Sequence, residues 1–191
     1  MATTVLWRRL DVPGLDRCTV EQVPDGHRIA GTALAVADGA PCEIRYTVLT
    51  DPAWRTRTVG VHVSGPGADR RLALAGDGEG GWSVADSPLL DLYGAVDIDF
   101  AWTPATNTLP IRRLGLEIGE SAEITAALID FPGHDVSRSV QRYTRTEGTT
   151  YHFAAGDFHA EIRLGPDAVV AEYEGLWTAL AWTGDTTQPA G

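Results

Sequence analysis

Lysine is missing from this chain: all fifteen basic residues are arginine, set against 26 acidic ones. A lysine Schiff base or lysine general base is thereby excluded. Cysteine is nearly absent too. Cys18 and Cys42 stand apart, with no CxxC and no zinc spacing, so neither a disulfide framework nor a structural zinc site is expected. No run approaches the roughly 18 apolar residues of a membrane-spanning helix. The N-terminal MATTVLWRRLDVPG has no apolar stretch after its charges, so no secretory signal is expected and the cytoplasm is the default location.

Other absences concern chemistry. The sequence holds no HExxH, GxSxG or GxxxxGK[ST], the patterns that mark zinc proteases, hydrolase elbows and phosphate-cradling nucleotide loops. Its five histidines, at 27, 62, 134, 152 and 159, form no cluster with carboxylates at metal spacing. No metal and no cofactor is therefore expected. The net charge of −11 is spread along the chain. That balance opposes nucleic acid, whose binding needs a basic surface, and simple docking on anionic lipid.

What is present is a period of two. RTVGVHV (57–63) sets Val59, Val61 and Val63 on one face, and RLALAG (71–76) aligns Leu72 with Leu74. VDIDFAW (96–102), LGLEI (114–118) and FHAEIRL (158–164) alternate likewise. Such runs predict antiparallel strands with one buried face. Turn signals separate them at PDG (24–26), DGAP (38–41), SGPGAD (64–69), GDGEGG (76–81) and GPD (165–167). A helical turn or two fits SPLLDLYG (87–94), with Ser87 as cap, Pro88 first and Gly94 as stop. Arg45-Tyr46-Thr47 recurs as Arg142-Tyr143-Thr144, a faint sign of two similar halves. One mainly β domain over 1–184 is expected, with a disordered tail at 185–191.

The densest stretch is VDIDFAWTPATNTLPIRRLGLEIGE (96–120). On a regular strand Asp97 and Asp99 share a face about 7 Å apart. They read either as a glycosidase pair or as charge partners for nearby arginines; the second reading is preferred, because a glycosidase pair must flank its substrate from two sides. Arg112 and Arg113, if they too lie on a strand, face opposite ways. Either one is solvated and the other pairs with Asp97 or Asp99, or the inward one offers its planar fork to a polar ligand in a cavity; pairing is the preferred reading. TPATNTLP (103–110) reads as a rigid, self-bonded hairpin loop. Six tryptophans, at 7, 54, 82, 102, 177 and 182, suit core packing or sugar faces.

That stretch, together with PAWRTRTVGVHV (52–63), LALAGDGEGGW (72–82), QRYTRTEGTTYHF (141–153) and AEYEGLW (171–177), resembles a bacterial family described as "putative glycolipid-binding". The resemblance covers nearly the whole chain. Ala95 and Glu174 depart from the family pattern, which often has cysteine and proline there. The resemblance implies a strongly curved antiparallel sheet, an incomplete barrel of two similar halves. It also implies a non-enzymatic carrier or sensor that holds acyl chains in the concavity and a sugar at the mouth. On that reading Trp54, Val61, Ile98, Phe100 and Trp102 line the cavity, and Arg112 or Arg113 meets the head group. Two rivals remain: a protein-interaction module, favoured if the concavity is filled by the chain's own side chains, and a glycoside-acting enzyme using Asp97, Asp99 or Glu117.

Overall fold

The computed structural model describes residues 2–66, 68–131 and 135–183. The strands in chain order are β1 (Ala2–Arg9), β2 (Leu15–Val23), β3 (Gly26–Ala37), β4 (Ala40–Thr50), β5 (Thr56–Gly65), β6 (Ala68–Gly76), β7 (Trp82–Val84) and β8 (Ser87–Pro88). They continue with β9 (Asp97–Phe100), β10 (Ser121–Ile129), β11 (Val136–Arg145), β12 (Thr150–Ala155), β13 (Phe158–Leu164), β14 (Val170–Tyr173) and β15 (Trp177–Thr183). All belong to one sheet, ordered β8-β7-β6-β5-β4-β3-β2-β1-β15-β14-β13-β12-β11-β10-β9. The chain starts in the middle, walks out to one edge, crosses to the other as β9 and walks back until β15 pairs β1. Every pairing is antiparallel except β9 with β10. The edges β8 and β9 do not pair, so the curled sheet stays an open barrel.

Alternation places the walls. Val5 and Trp7, Cys18 and Val20, Ile44 with Tyr46 and Val48, and Val59 with Val61 and Val63 are all buried. Each set recurs every second residue, as one face of a pleat requires. Close approach makes one glycine necessary: a Cβ on Gly31 of β3 would collide with the Tyr46 hydroxyl and stand 2.9 Å from the Arg17 carbonyl oxygen.

The interior differs from the expected open concavity. Residues 103–110 are not a hairpin loop. They form a 3₁₀ turn (Ala105–Asn107) running into a short helix, α1 (Thr108–Leu114), and this segment fills the sheet. Ala105, Thr108 and Leu109 are completely buried, and Ile111 nearly so. The prolines that read as loop boundaries sit where helices accept them. Pro104 precedes the 3₁₀ turn, and Pro110 falls in the first turn of α1, where its missing N–H has no intrahelical partner to lose. Gly115, at φ +56, caps the end, its N–H bonding the Ile111 carbonyl.

Three expectations fail with that loop. Arg112 and Arg113 do not alternate across a strand; both lie in the last turn of α1. LGLEI is the helix end and a turn, not a strand. The helical turn placed at 87–94 shifts inward: Ser87–Pro88 bridge as β8, and a 3₁₀ turn forms at Leu90–Leu92. The tail at 185–191 lies outside the described residues.

Candidate functional site

The polar residues of the 103–113 plug explain why the stretch is so dense. Thr103 Oγ1 donates to Asp16 of β2, to which the Tyr46 hydroxyl of β4 also donates at 2.6 Å. Thr106 Oγ1 donates to Asp99 at 2.9 Å and accepts the Phe100 N–H. Asn107 accepts from the Tyr143 hydroxyl of β11 at 2.8 Å. Arg113 grips Asp97 with both oxygens, Nε to Oδ1 at 3.1 Å and Nη2 to Oδ2 at 2.5 Å. Arg112 donates to the Asp167 carbonyl. The plug is thus tied to both walls, and the two repeated tyrosines, Tyr46 and Tyr143, each hold it from one side.

This network determines the charge states inside. Burial pushes the Asp16 carboxyl up to about 6, partly offset by the Thr103 and Tyr46 hydroxyls. Its Oδ1 is buried without a partner. Burial also raises Asp97, with Arg113 pulling it back, and raises Asp99 against the bonds from Thr106 and from Gln141 (Nε2 to Oδ2, 2.7 Å). Every bond that Asp97 and Asp99 make is thus to the plug or the wall.

Among the openings lined by described residues, two lie at opposite ends of β1. The first is a groove at the mouth. One cavity of about 510 Å³ is lined mainly by Pro13, Leu15, Leu34, Val36, Pro41 and Cys42. A second, of about 300 Å³, shares Pro13, Gly14, Leu34, Ala35 and Val36 with it. That second cavity adds Trp102, Phe131 and Trp177 as aromatic walls and Arg9, Asp38 and Asp130 as charged groups. Leu34 and Val36 are 51% and 47% exposed, and Val12 and Leu10 stand out beside them. Trp102 stacks on Phe100 at 4.6 Å and meets Phe131 edge-on, yet its indole N–H is buried without a partner.

The second opening is a polar cleft of about 210 Å³ lined by Thr3, Val20, Glu21, Gln22, His27, Trp54, Arg112 and Asp167. His27 stacks on Trp54 at 3.7 Å, and the Arg112 guanidinium lies 5.4 Å from the centre of the same ring.

The sequence-derived residues therefore divide. Val61, Ile98 and Phe100 are 4%, 1% and 2% exposed and belong to the buried core rather than line either opening. Trp102 borders the mouth, while Trp54 and Arg112 border the cleft. Arg113, Asp97 and Asp99 form structural bonds. Missed altogether were Leu34, Val36, Phe131 and Asp16. A signal existed for the first two: in GTALAVADG the small alanines 33, 35 and 37 alternate with bulky Leu34 and Val36, so the apolar bulk sits on the exposed face. Among the described residues no group of three His, Cys, Asp or Glu could hold a metal ion. No helix among them is long and apolar enough to cross a membrane.

An open, curled antiparallel sheet plugged by its own helix defines an architecture that comparison places. The sequence profile of the family described as "putative glycolipid-binding" matches residues 4–179, and the chain belongs to that family. Among solved structures, a DUF1089 family protein from Pseudomonas aeruginosa is similar. It is 30% identical, covers 86% of this chain and 91% of its own, and superposes with a TM-score of 0.79. No curated protein matches.

Proposed function

We propose that the protein binds an amphipathic molecule such as a glycolipid in the mouth groove, not inside the sheet. The observation that carries this reading is a gradient along one opening. The larger cavity is almost wholly apolar, and the smaller one, across the shared Leu34–Val36 wall, combines three aromatic rings with Arg9, Asp38 and Asp130. Both volumes, about 510 and 300 Å³, reach the range of roughly 300–1,000 Å³ that holds small-molecule ligands. An acyl chain fits the first, and a hydroxylated head fits the second, against its aromatic rings and charged groups. Family membership supports the ligand class. The filled concavity speaks for the interaction-module reading over a carrier with chains inside, and that reading would use the same exposed apolar groove.

The test is calorimetric titration with dodecyl maltoside below its critical micelle concentration. Saturable binding is expected, weakened at least tenfold in the double variant Leu34→Gln with Val36→Gln. Both positions are half exposed, so the variant keeps its melting temperature. No binding by the wild type, or binding untouched by the double change, sinks the proposal and moves the interaction module to first place.

A further inference from the structure

The cleft beside Trp54 has no part in the groove at the mouth. Thr3 and Arg9 stand at opposite ends of β1, six residues and so roughly 20 Å apart. Nor does the plug need it. Arg112 spends one N–H on the Asp167 carbonyl and leaves the rest of its fork free.

Four features of this cleft point to a ligand. Trp54 holds φ +64 and Asp167 φ +54, a region that bulky residues rarely occupy and that persists only where the surroundings enforce it. The surroundings do enforce it. Asp51 caps the Trp54 turn by accepting the Ala53 and Arg55 N–H groups, and Thr3 donates to the Asp167 carboxylate. Two strained side chains are thereby presented to one small space.

Second, among the described residues the cleft holds unspent groups of both kinds: the Gln22 amide, one Glu21 oxygen, the Trp54 indole N–H and the free Arg112 donors. Third, its charges disfavour an anion. Glu21 and Asp167 oppose the single Arg112, and Arg28 is already bonded to Glu21. His27 adds no cation at neutral pH, since burial holds its imidazole below the usual value, with Arg112 acting the same way. Fourth, about 210 Å³ corresponds to some seven waters at about 30 Å³ each, too little for a lipid and enough for one ring.

We infer that the cleft formed by Glu21, Gln22, His27, Trp54, Arg112 and Asp167 is a second, separate site for a single neutral sugar ring. Each sugar hydroxyl is both donor and acceptor, which matches the mixed lining. A phosphate or carboxylate would meet two carboxylates.

Saturation-transfer NMR with neutral methyl hexopyranosides and N-acetylglucosamine, with inorganic phosphate competing, tests this. Transfer to at least one sugar is expected, falling at least fivefold in Trp54→Gly and in Gln22→Ala. Glycine accepts the positive φ at position 54 without strain, and Gln22 is exposed, so both variants keep the fold. The Leu34→Gln, Val36→Gln variant should retain full transfer. No transfer from any neutral sugar, transfer unchanged in both cleft variants, or displacement by phosphate overturns the inference. Dodecyl maltoside binding that fails while sugar transfer persists removes the groove and leaves the cleft.

Discussion

Replacing Asp16 by asparagine isolates a carboxylate with an unpartnered buried oxygen. The carboxyl is wholly buried, accepts two hydroxyls on Oδ2 and has no partner on Oδ1. Its value stands at about 6 in the fold against 3.8 for an unperturbed aspartate. A group raised on folding contributes stability that is complete below the unfolded value and disappears as pH climbs through the folded one. Between pH 5 and pH 8 this group alone removes about 1 kcal/mol from the wild type, by the titration of one site with those two constants. The substituted amide cannot ionise, so the variant loses nothing over that interval. The quantity to measure is the difference in unfolding free energy, variant minus wild type, by urea denaturation at each pH. It should rise by about 1 kcal/mol from pH 5 to pH 8, a relative midpoint shift of a few tenths of a molar to about 1 M. Taking the difference cancels the contributions of all other groups. A difference independent of pH would refute the argument, because Asp16 would then ionise as it does in the unfolded chain.

Two further outcomes follow from the plug. Arg113→Ala leaves Asp97 buried and uncompensated, and should cost about 3–5 kcal/mol in urea denaturation; adding Asp97→Asn should recover part of that loss, and no recovery would mean that the charge is not the cause. Gly31→Ala drives a methyl into the Tyr46 ring that holds Asp16, and should cost about 1–3 kcal/mol as overpacking, which a thermal melt would register; an unchanged melting temperature would show that Tyr46 can move aside.

The strand pattern was legible because alternation is local. FHAEIRL matches β13 residue for residue, and RTVGVHV lies within β5. A period of two needs only neighbouring residues to declare itself. The turn chemistry around it is equally local. Asp77, for instance, caps its own loop by accepting the Glu79 and Gly81 N–H groups.

The plug was not legible, although its sequence is the most unusual in the chain. Small polar residues between two prolines make a loop when exposed, and a helix when a wall supplies partners for them. Those partners come from far away. Thr103 and Asp16 are 87 residues apart, and Asn107 and Tyr143 are 36 apart. Only the curling of the sheet brings β2, β4 and β11 around one point.

The sequence by itself determined that this chain is a meander of half-buried strands, that it lacks lysine chemistry and that the aspartates and arginines of one stretch belong together. The tertiary structure alone decided that Arg113, rather than Arg112, takes Asp97, that the concavity is occupied, and that a groove opens at one end of β1 and a cleft at the other. Periodicity is a property of neighbours. Which face meets which wall is settled by contacts that exist only once distant strands have met.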